Sequence, residues 1–287
     1  MQTVSDLKSL REAVDELHKS GTIAMVPTMG ALHEGHMTLV REAKRHATHV
    51  TASIFVNPTQ FGPNEDLDAY PRQLAADQAK LEAEGVALLW APDLAAMYPQ
   101  GFATSISVSG VSEGLCGASR PGHFDGVATV VCKLFNQLRP DVALFGEKDW
   151  EQLAVIRRMA ADLDLTLPRV ENIVGVPTVR EEDGLAMSSR NAYLSPGQRA
   201  SAARLNVAMR EAINRIESGA DVAAALGWLE SELAAAGFGP IDYVTLADAA
   251  SLRELDDTPA APARLLVAAR MGTTRLIDNM HVEGRAA

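Results

Sequence analysis

The stretch TIAMVPTMGALHEGHMTLVREAKRHA (22–47) decides the fold of this chain. Its first part, TIAMVPT (22–28), is a short apolar run that predicts a buried strand. MTLVREAKRHA (37–47) has the spacing of an amphipathic helix. Between them lie Gly30 and Gly35, which allow the backbone to bend and to approach a ligand closely. A strand, a turn and a helix in this order predict a unit that binds its ligand at the carboxyl end of the strand.

The same alternation continues on both sides of this unit. It predicts a Rossmann-like α/β fold over residues 1–178, with a parallel sheet covered by helices on both faces. Residues 179–287 differ, because two helical stretches precede three apolar runs, which predicts a small α+β domain. Ser5 is the expected cap of the first helix. The remaining predicted strands are 49–57, 86–92, 141–146, 171–179, 241–248, 263–270 and 274–282. The remaining predicted helices are the amphipathic stretch at 7–17 and the segments 71–85, 122–138, 149–163, 196–217 and 221–236.

Composition excludes several classes of protein. The net charge of −11 argues against nonspecific nucleic-acid binding, which needs an excess of Lys and Arg facing phosphate. Two cysteines in 287 residues cannot build a disulfide framework. The sequence has neither an apolar run of the roughly 18 residues that a membrane span needs nor the features of a signal peptide. We therefore expect a cytoplasmic protein with no membrane partner.

PTMGALHEGH (27–36) is the first segment that could carry chemistry. We expect the helix to begin near His36, so that its N–H groups and positive dipole end face the turn and form an anion site. His33 and His36 are three residues apart and suit the phosphates of a nucleotide as hydrogen-bond donors. The segment is neither a Walker loop nor a GxGxxG turn. A polar turn with two surface histidines, or a fortuitous metal pair, is the alternative.

Two further segments carry groups suited to phosphate. In FGEKD (145–149), Lys148 could neutralise a triphosphate, and Asp149 could cap the helix or orient a cation. In GLAMSSRN (184–191), two hydroxyls stand beside Arg190, which predicts a clamp of side-chain donors and fixed charge. An ordinary helix start and a capped turn are the respective alternatives. The acidic run 181–183 is predicted to be a solvated loop.

Gln60 and Arg120 are candidates for binding the rest of a substrate. Gln60 in VNPTQF (56–61) offers an acceptor and two donors, which suits a hydroxyl or a carboxylate. Arg120 in SRPGHF (119–124) is flanked by Pro and Gly and suits an anion. Taken alone, each is more simply a solvated side chain.

Taken together, these segments resemble the pantothenate synthetase (pantoate–β-alanine ligase) family of the nucleotidylyltransferase superfamily. PTMGALHEGH, FVNPTQFGPNEDLDAYPR, RPGHFDGVATVV, FGEKD and MSSRNAYLS occur in order over nearly the whole chain. The resemblance implies a Rossmann-like domain with a small C-terminal lid domain, in a cytoplasmic homodimer. It implies that ATP and (R)-pantoate give pantoyl adenylate and pyrophosphate, and that β-alanine then gives pantothenate and AMP, with Mg²⁺ accompanying the ATP.

The resemblance also implies roles for individual residues. His36 would be the proton donor, Gln60 and Gln152 would hold pantoate, and Asp77 would contact magnesium, although Ala76 lacks the carboxylate of some relatives. The implied catalytic groups are His33, His36, Lys148, Ser188, Ser189 and Arg190, and the implied ATP contacts are Met29, Gly30, Ala31, Leu32, His33, Glu34, Gly35, His36, Gly146, Glu147, Lys148, Asp149, Val179, Met187, Ser188, Ser189 and Arg190.

Two departures from the family, after GEKD and in the acidic stretch between Val179 and Met187, and two rival functions remain open in the sequence. The family often has Tyr-Gln-Gln after GEKD, whereas this chain has Trp150-Glu151-Gln152, which keeps the second glutamine and adds a charge. A plain adenylyltransferase would release pyrophosphate without needing an amine. A silent nucleotide-binding protein would keep the fold, but it would not need all of His33, His36, Lys148 and Arg190.

Overall fold

The computed structural model describes residues 1–63, 65–259 and 261–283. The chain divides into two compact units. Unit 1 comprises residues 1–109, 120–147 and 155–177, and unit 2 comprises residues 110–119, 148–154 and 178–287. The predicted domain boundary at residue 178 stays a prediction. Among the described residues, no helix is long and apolar enough to cross a membrane.

The described elements follow one another in the predicted alternation. The strands are β1 (Gln2–Val4), β2 (Ile23–Thr28), β3 (His49–Ile54), β4 (Leu88–Trp90), β5 (Val142–Gly146), β6 (Ile173–Val176), β7 (Phe238–Asp248), β8 (Ala263–Met271) and β9 (Thr274–Val282). The α-helices are α1 (Leu7–Ser20), α2 (Glu34–His46), α3 (Leu74–Ala83), α4 (Leu94–Met97), α5 (Leu115–Ser119), α6 (His123–Leu138), α7 (Trp150–Asp162), α8 (Pro196–Ala202), α9 (Arg204–Glu217) and α10 (Val222–Ala235).

Unit 1 is built on a parallel sheet, as predicted. Its described strands lie in the order β1-β4-β3-β2-β5-β6. The order reverses between β2 and β5, which are neighbours but are separated in the chain by β3 and β4. Loops that leave the carboxyl ends of two such strands diverge and form a crevice, where doubly wound folds bind ligands. The predicted ATP segments that begin at Met29 and at Gly146 leave the sheet there.

Helices surround this sheet because its central strands are apolar on both faces. Ala24 and Val26 of β2 pack in one cluster with Met37 and Val40 of α2. Met25 has the opposite parity and therefore faces the other side of the sheet, where α6 contacts β2. Side chains buried on both faces explain why the parallel strands have near-continuous apolar sequences.

Unit 2 contains a three-stranded antiparallel sheet, in the order β7-β8-β9, among the described residues. Its core joins the apolar stripes of α9 and α10 to one face of this sheet, with Leu229, Leu265 and Val267 fully buried. The Rossmann-like fold class and the small α+β part of the prediction are therefore confirmed.

Several local predictions were wrong. Asp6, and not Ser5, caps α1, because its carboxylate accepts hydrogen bonds from the N–H groups of Lys8 and Ser9. The helix predicted from Pro71 begins at Leu74, since the Arg72 side chain is hydrogen-bonded to carbonyls of the preceding turn. β6 ends at Val176, whereas the predicted strand continued to residue 179. The short strand β1 lacks a long apolar run and was not predicted.

Candidate active site

The turn after β2 in unit 1 has a specific backbone conformation. Gly30 (φ 84°) and Ala31 (φ 52°) are both in the left-handed region, which is uncommon for a residue with a side chain. The Thr28 hydroxyl donates to the carbonyl of Ser53 and accepts from the N–H of Gly30. This conformation turns the backbone N–H groups of Ala31 and Leu32 toward a common point.

Asp77 of α3 occupies that point. Its side chain is fully buried, and its two oxygens accept hydrogen bonds from the N–H groups of Ala31 (2.8 Å) and Leu32 (2.9 Å). Gln73 donates to the same carboxylate, and Lys80, one turn later on α3, donates to the carbonyl of Leu32. The helix α3 thus holds the turn through the N–H groups of Ala31 and Leu32 and through the carbonyl of Leu32.

These contacts do not fit the predicted role of Asp77 as a magnesium ligand. Magnesium is bound through one or two carboxylates together with phosphates and waters, but both oxygens of this buried carboxylate already accept hydrogen bonds from the backbone. Within residues 1–63, 65–259 and 261–283 there is no group of three or more His, Cys, Asp or Glu side chains that could hold a metal ion.

His33 and His36 lie at the N-terminus of α2, which begins at Glu34 and therefore earlier than predicted. His33 is the N-cap: its Nδ1 accepts from the N–H of Gly35 (3.2 Å), and the N–H of His33 donates to Nδ1 of His36 (3.2 Å). The ring centroids are 4.1 Å apart. Because each Nδ1 is an acceptor, each neutral ring carries its hydrogen on Nε2. The pair therefore presents two N–H donors beside the positive end of the helix.

A cavity of about 410 Å³ opens in unit 1 beside this turn. Met29 and Gly30 form part of its wall, together with residues 54–56 at the end of β3. This volume lies within the range of about 300–1,000 Å³ that small-molecule sites occupy. The cavity places a space of substrate size at the carboxyl ends of the parallel strands.

Gln60 is oriented by Asn57, a residue that the sequence analysis missed. Asn57 is buried; its amide nitrogen donates to Oε1 of Gln60 (3.1 Å), and its oxygen accepts from Thr59 and from the Tyr98 hydroxyl (2.8 Å). The amide nitrogen of Gln60 then points to the sulfur of Met29 (3.3 Å). Gln60 is therefore fixed as a donor toward the turn. The sequence signal that could have identified Asn57 is an Asn directly before Pro-Thr-Gln at the end of a predicted strand.

Arg120 is engaged within unit 1. Its guanidinium makes a bidentate ion pair with Glu65 (2.7 and 2.6 Å) and donates to the carbonyl of Gln60, which His123 also contacts. Burial acts to raise the pKa of Glu65, but the hydrogen bonds and charge of Arg120 outweigh it and keep that pKa below its usual value. Arg120 thus supports Gln60, and direct binding of substrate by Arg120 stays a prediction.

In unit 2, Lys148 lies in a short 3₁₀ turn (Glu147–Asp149) that leads into α7. Its Nζ is 3.6 Å from Oδ1 of Asp149, and its backbone carbonyl accepts from the Asn279 side chain (2.9 Å). Gln152 follows in the first turn of α7. Lys148 and Gln152 therefore lie in consecutive turns of unit 2, whereas Gly146 and Glu147 belong to unit 1.

Glu151, the departure from the family pattern, is buried in unit 2. Its oxygens accept from the N–H groups of Cys116 (2.8 Å) and Gly117 (3.1 Å). Burial raises the pKa of Glu151 to about 7 against these hydrogen bonds, which lower it. The residue ties the 115–119 helix to α7.

The predicted clamp follows a short hairpin in unit 2. The N–H of Met187 donates to the carbonyl of Val179, and Arg180 pairs with Ala186 across the turn at Gly184. Ser188 then caps a 3₁₀ helix (Ser189–Tyr193), because its hydroxyl accepts from the N–H of Arg190. The hairpin brings Met187 and the hydroxyl and guanidinium groups of residues 188–190 into one turn.

The acidic run 181–183 lies in a turn in which Glu182 and Asp183 are exposed, as predicted, but two of its carboxylates are also paired. Glu181 and Asp183 both form ion pairs with Arg199 of α8 (2.7 and 2.6 Å), and Glu181 also accepts from Asn191. The Arg199 guanidinium lowers the pKa of Asp183. These contacts join the hairpin to the residues after the clamp.

We expect Asp77→Asn to loosen the turn after β2. One carboxylate oxygen becomes an NH₂ group facing a backbone donor, so the free energy of unfolding should fall by about 1–3 kcal/mol. Hydrogen–deuterium exchange in peptides covering residues 29–36 should accelerate. The matched control is Asp6→Asn, an exposed cap that also accepts two backbone N–H groups and should change little. Unchanged exchange in residues 29–36 would contradict the anchoring role.

Comparisons with known proteins identify the family of this chain. The family model for pantoate-beta-alanine ligase matches residues 2–281. The chain is 69% identical over 283 residues to the pantothenate synthetase of Novosphingobium aromaticivorans, covering 98% of this chain and 99% of the relative. It is 61% identical over 284 residues to that of Rhizorhabdus wittichii, covering 99% of both chains.

Solved structures give the same result. Pantothenate synthetase from Thermus thermophilus matches with a TM-score of 0.90 and 48% identity, over 98% of this chain and 99% of that chain. Pantoate-beta-alanine ligase from Francisella tularensis, complexed with beta-gamma ATP and beta-alanine, matches with a TM-score of 0.80 and 32% identity, over 98% and 97%. The chain therefore belongs to the pantoate–β-alanine ligase family and is a ligase that forms a carbon–nitrogen bond.

Proposed function

We propose that this enzyme condenses (R)-pantoate with β-alanine through pantoyl adenylate, with ATP as the second substrate. The observation that carries the proposal is the histidine pair at the start of α2, where both Nδ1 atoms cap the backbone and both Nε2 atoms become donors. The pair follows β2 at the topological switch point, and Met29 and Gly30 of the preceding turn line a cavity of about 410 Å³. The Francisella structure, whose complex contains an ATP and β-alanine, supports the same substrates.

The first step transfers AMP to pantoate. A carboxylate oxygen of pantoate attacks the α-phosphorus, the bond to the bridging oxygen breaks, and pyrophosphate leaves. Negative charge spreads over the phosphates in the transition state, so fixed donors and cations stabilise it more than acid–base groups do. His33, His36, Lys148, Ser188, Ser189 and Arg190 supply these groups, with His36 as proton donor toward the leaving group.

The second step forms the amide. The amine of β-alanine attacks the carbonyl carbon of the adenylate, loses a proton, and displaces AMP. Gln60 and Gln152 hold pantoate during both steps. Arg120 acts on pantoate through Gln60, whose backbone carbonyl it contacts. The remaining ATP contacts are those of residues 29–36 and 146–149, with Val179 and Met187.

Magnesium would accompany ATP and neutralise part of the triphosphate charge. The contacts of Asp77 do not fit a ligand for it, so we assign no residue of this chain to the metal. A cytoplasmic location and a homodimer are also proposed, and their support is the resemblance to the family.

We expect His36→Ala to slow adenylate formation about 100-fold or more, as loss of a transition-state donor does. The measurement is single-turnover formation of the adenylate from ATP and labelled pantoate without β-alanine. His46→Ala, at the other end of α2, is the control and should behave as wild type. A near-wild-type rate in His36→Ala would remove His36 from the mechanism, and a wild type that forms no adenylate would contradict the proposed function.

We expect Gln60→Ala to raise the KM for pantoate far more than the KM for ATP, because Gln60 is proposed to hold pantoate with an amide that Asn57 orients. Initial rates with each substrate varied in turn would measure this. Gln78→Ala replaces a half-buried glutamine of α3, which donates to Thr3, and serves as the control. Equal losses for both substrates would argue against a pantoate-specific role.

A further inference from the structure

Three residues of β9, TRLIDNMHV (274–282), are both polar and buried: Thr274, Asp278 and Asn279. Asp278 is 2% exposed and Asn279 is 3% exposed. Asp and Asn are depleted in strands, and burying them is unfavourable unless hydrogen bonds or ion pairs compensate. Neither residue takes part in the proposed reaction steps, so their partners show what they do.

Asn279 connects β9 to the turn that carries Lys148. Its amide nitrogen donates to the carbonyl of Lys148 (2.9 Å), and its oxygen accepts from Nη1 of Arg264 (2.7 Å). The guanidinium of Arg264 stacks on the ring of Trp150, with Cζ 3.5 Å from the centroid. Asn279 and Arg264 therefore hold both ends of the turn from Lys148 to the first residue of α7.

Asp278 connects the same strand to the hairpin that leads into the clamp. Its carboxylate accepts a bidentate ion pair from Arg180 (2.6 and 2.9 Å). Arg180 also donates to the carbonyl of Gly184 and pairs with Ala186 across the hairpin. A planar guanidinium that binds two oxygens fixes orientation as well as distance. The residues just before Ser188 are thereby fixed on β9.

The side chains of the two anchors, Asp278 and Asn279, point to opposite faces of the sheet because successive side chains of a strand alternate. Leu276 and Val282 share the parity of Asp278 and pack in the core with α9 and α10. Asn279 has the opposite parity and faces the turn at Lys148. Both residues are held in register on β8, with Asp278 opposite Val267 and Asn279 opposite Leu266. One rigid strand therefore fixes two segments that lie on different faces of its sheet.

We infer that Asp278 and Asn279 are positioning residues that set Lys148 and the Ser188–Arg190 clamp in register with each other for binding the triphosphate of ATP. This inference rests on the proposed ATP-binding role of those two segments. It assigns to β9 a part in catalysis that neither its apolar pattern nor the family motifs indicate.

The test uses one substitution for each anchor in the full-length protein. In Asn279→Asp an oxygen replaces the amide donor and faces the Lys148 carbonyl. In Asp278→Asn the negative charge that holds Arg180 is lost. Leu276→Ala, on the same strand, is the control, because it weakens the core without removing a hydrogen bond to either segment. Arg180→Lys, which keeps the charge but loses the bidentate fork, replaces Asp278→Asn if that variant does not fold.

Two readouts separate positioning from general destabilisation. Hydrogen–deuterium exchange should accelerate in peptides covering 147–152 for Asn279→Asp and in those covering 180–190 for Asp278→Asn. In both variants kcat/KM for ATP should fall about tenfold or more, as misplaced contacts cause, while the KM for β-alanine changes less than about twofold. Leu276→Ala should lower the Tm and leave the KM for ATP unchanged.

Some results would overturn the inference. One is exchange that accelerates equally in both segments for either variant. Another is a kcat/KM for ATP that falls as much in Leu276→Ala as in the anchor variants when the loss of Tm is the same. A third is a kcat/KM for ATP that does not change in the anchor variants. If the wild type binds ATP without forming the amide, the proposed function fails. The inference is then decided by the exchange pattern and by the Kd for ATP in the variants, measured by calorimetry.

Discussion

A single buried carboxylate, that of Asp77, determines the shape of the turn on which the proposed chemistry depends. Its two hydrogen bonds to Ala31 and Leu32 stabilise a left-handed conformation that Ala31 would otherwise rarely adopt. Because the turn ends at His33, it also sets where α2 begins. The position of α2 in turn determines which nitrogen of each histidine binds the backbone and which carries the hydrogen.

Other charges in the chain serve the same purpose of fixing backbone segments. Glu65 holds Arg120 beside the carbonyl of Gln60, and Asp278 holds Arg180 beside the carbonyl of Gly184. These pairs are partly or wholly shielded from water, so they are less screened by salt than surface pairs. The chain has more acidic than basic residues, yet it can still bind phosphate groups. Several of its carboxylates pair with structural arginines and not with the groups that are proposed to bind ATP.

Much of the fold could be predicted from the sequence because the apolar runs and helical stripes are strong local signals. The alternation of these signals predicted the parallel sheet, and the order of the motifs indicated the family. The exact cap at Asp6 and the start of α2 at Glu34 were misplaced because neighbouring residues offer competing local caps. The pairing of Glu181 and Asp183 with Arg199 could not be predicted in the same way, because it joins residues 16 to 18 positions apart in the chain.

The site could be predicted less completely than the fold. Motif segments indicated His33, His36, Lys148 and Arg190, but not the residues that orient them. Asn57, Asp278 and Asn279 lie in or beside strands, where a polar residue is easily overlooked among apolar neighbours. Their buried hydrogen bonds become visible only when the strand partners are known.

Pyrophosphate release with ATP, magnesium and (R)-pantoate, measured with and without β-alanine, tests the central claim most directly. The account predicts about one equivalent of pyrophosphate per site without the amine, because the adenylate remains bound, and continuous turnover with it. Continuous release without any amine would instead indicate a plain adenylyltransferase. No release under either condition would indicate a protein that binds nucleotide without reacting, and either result would contradict amide formation through an adenylate.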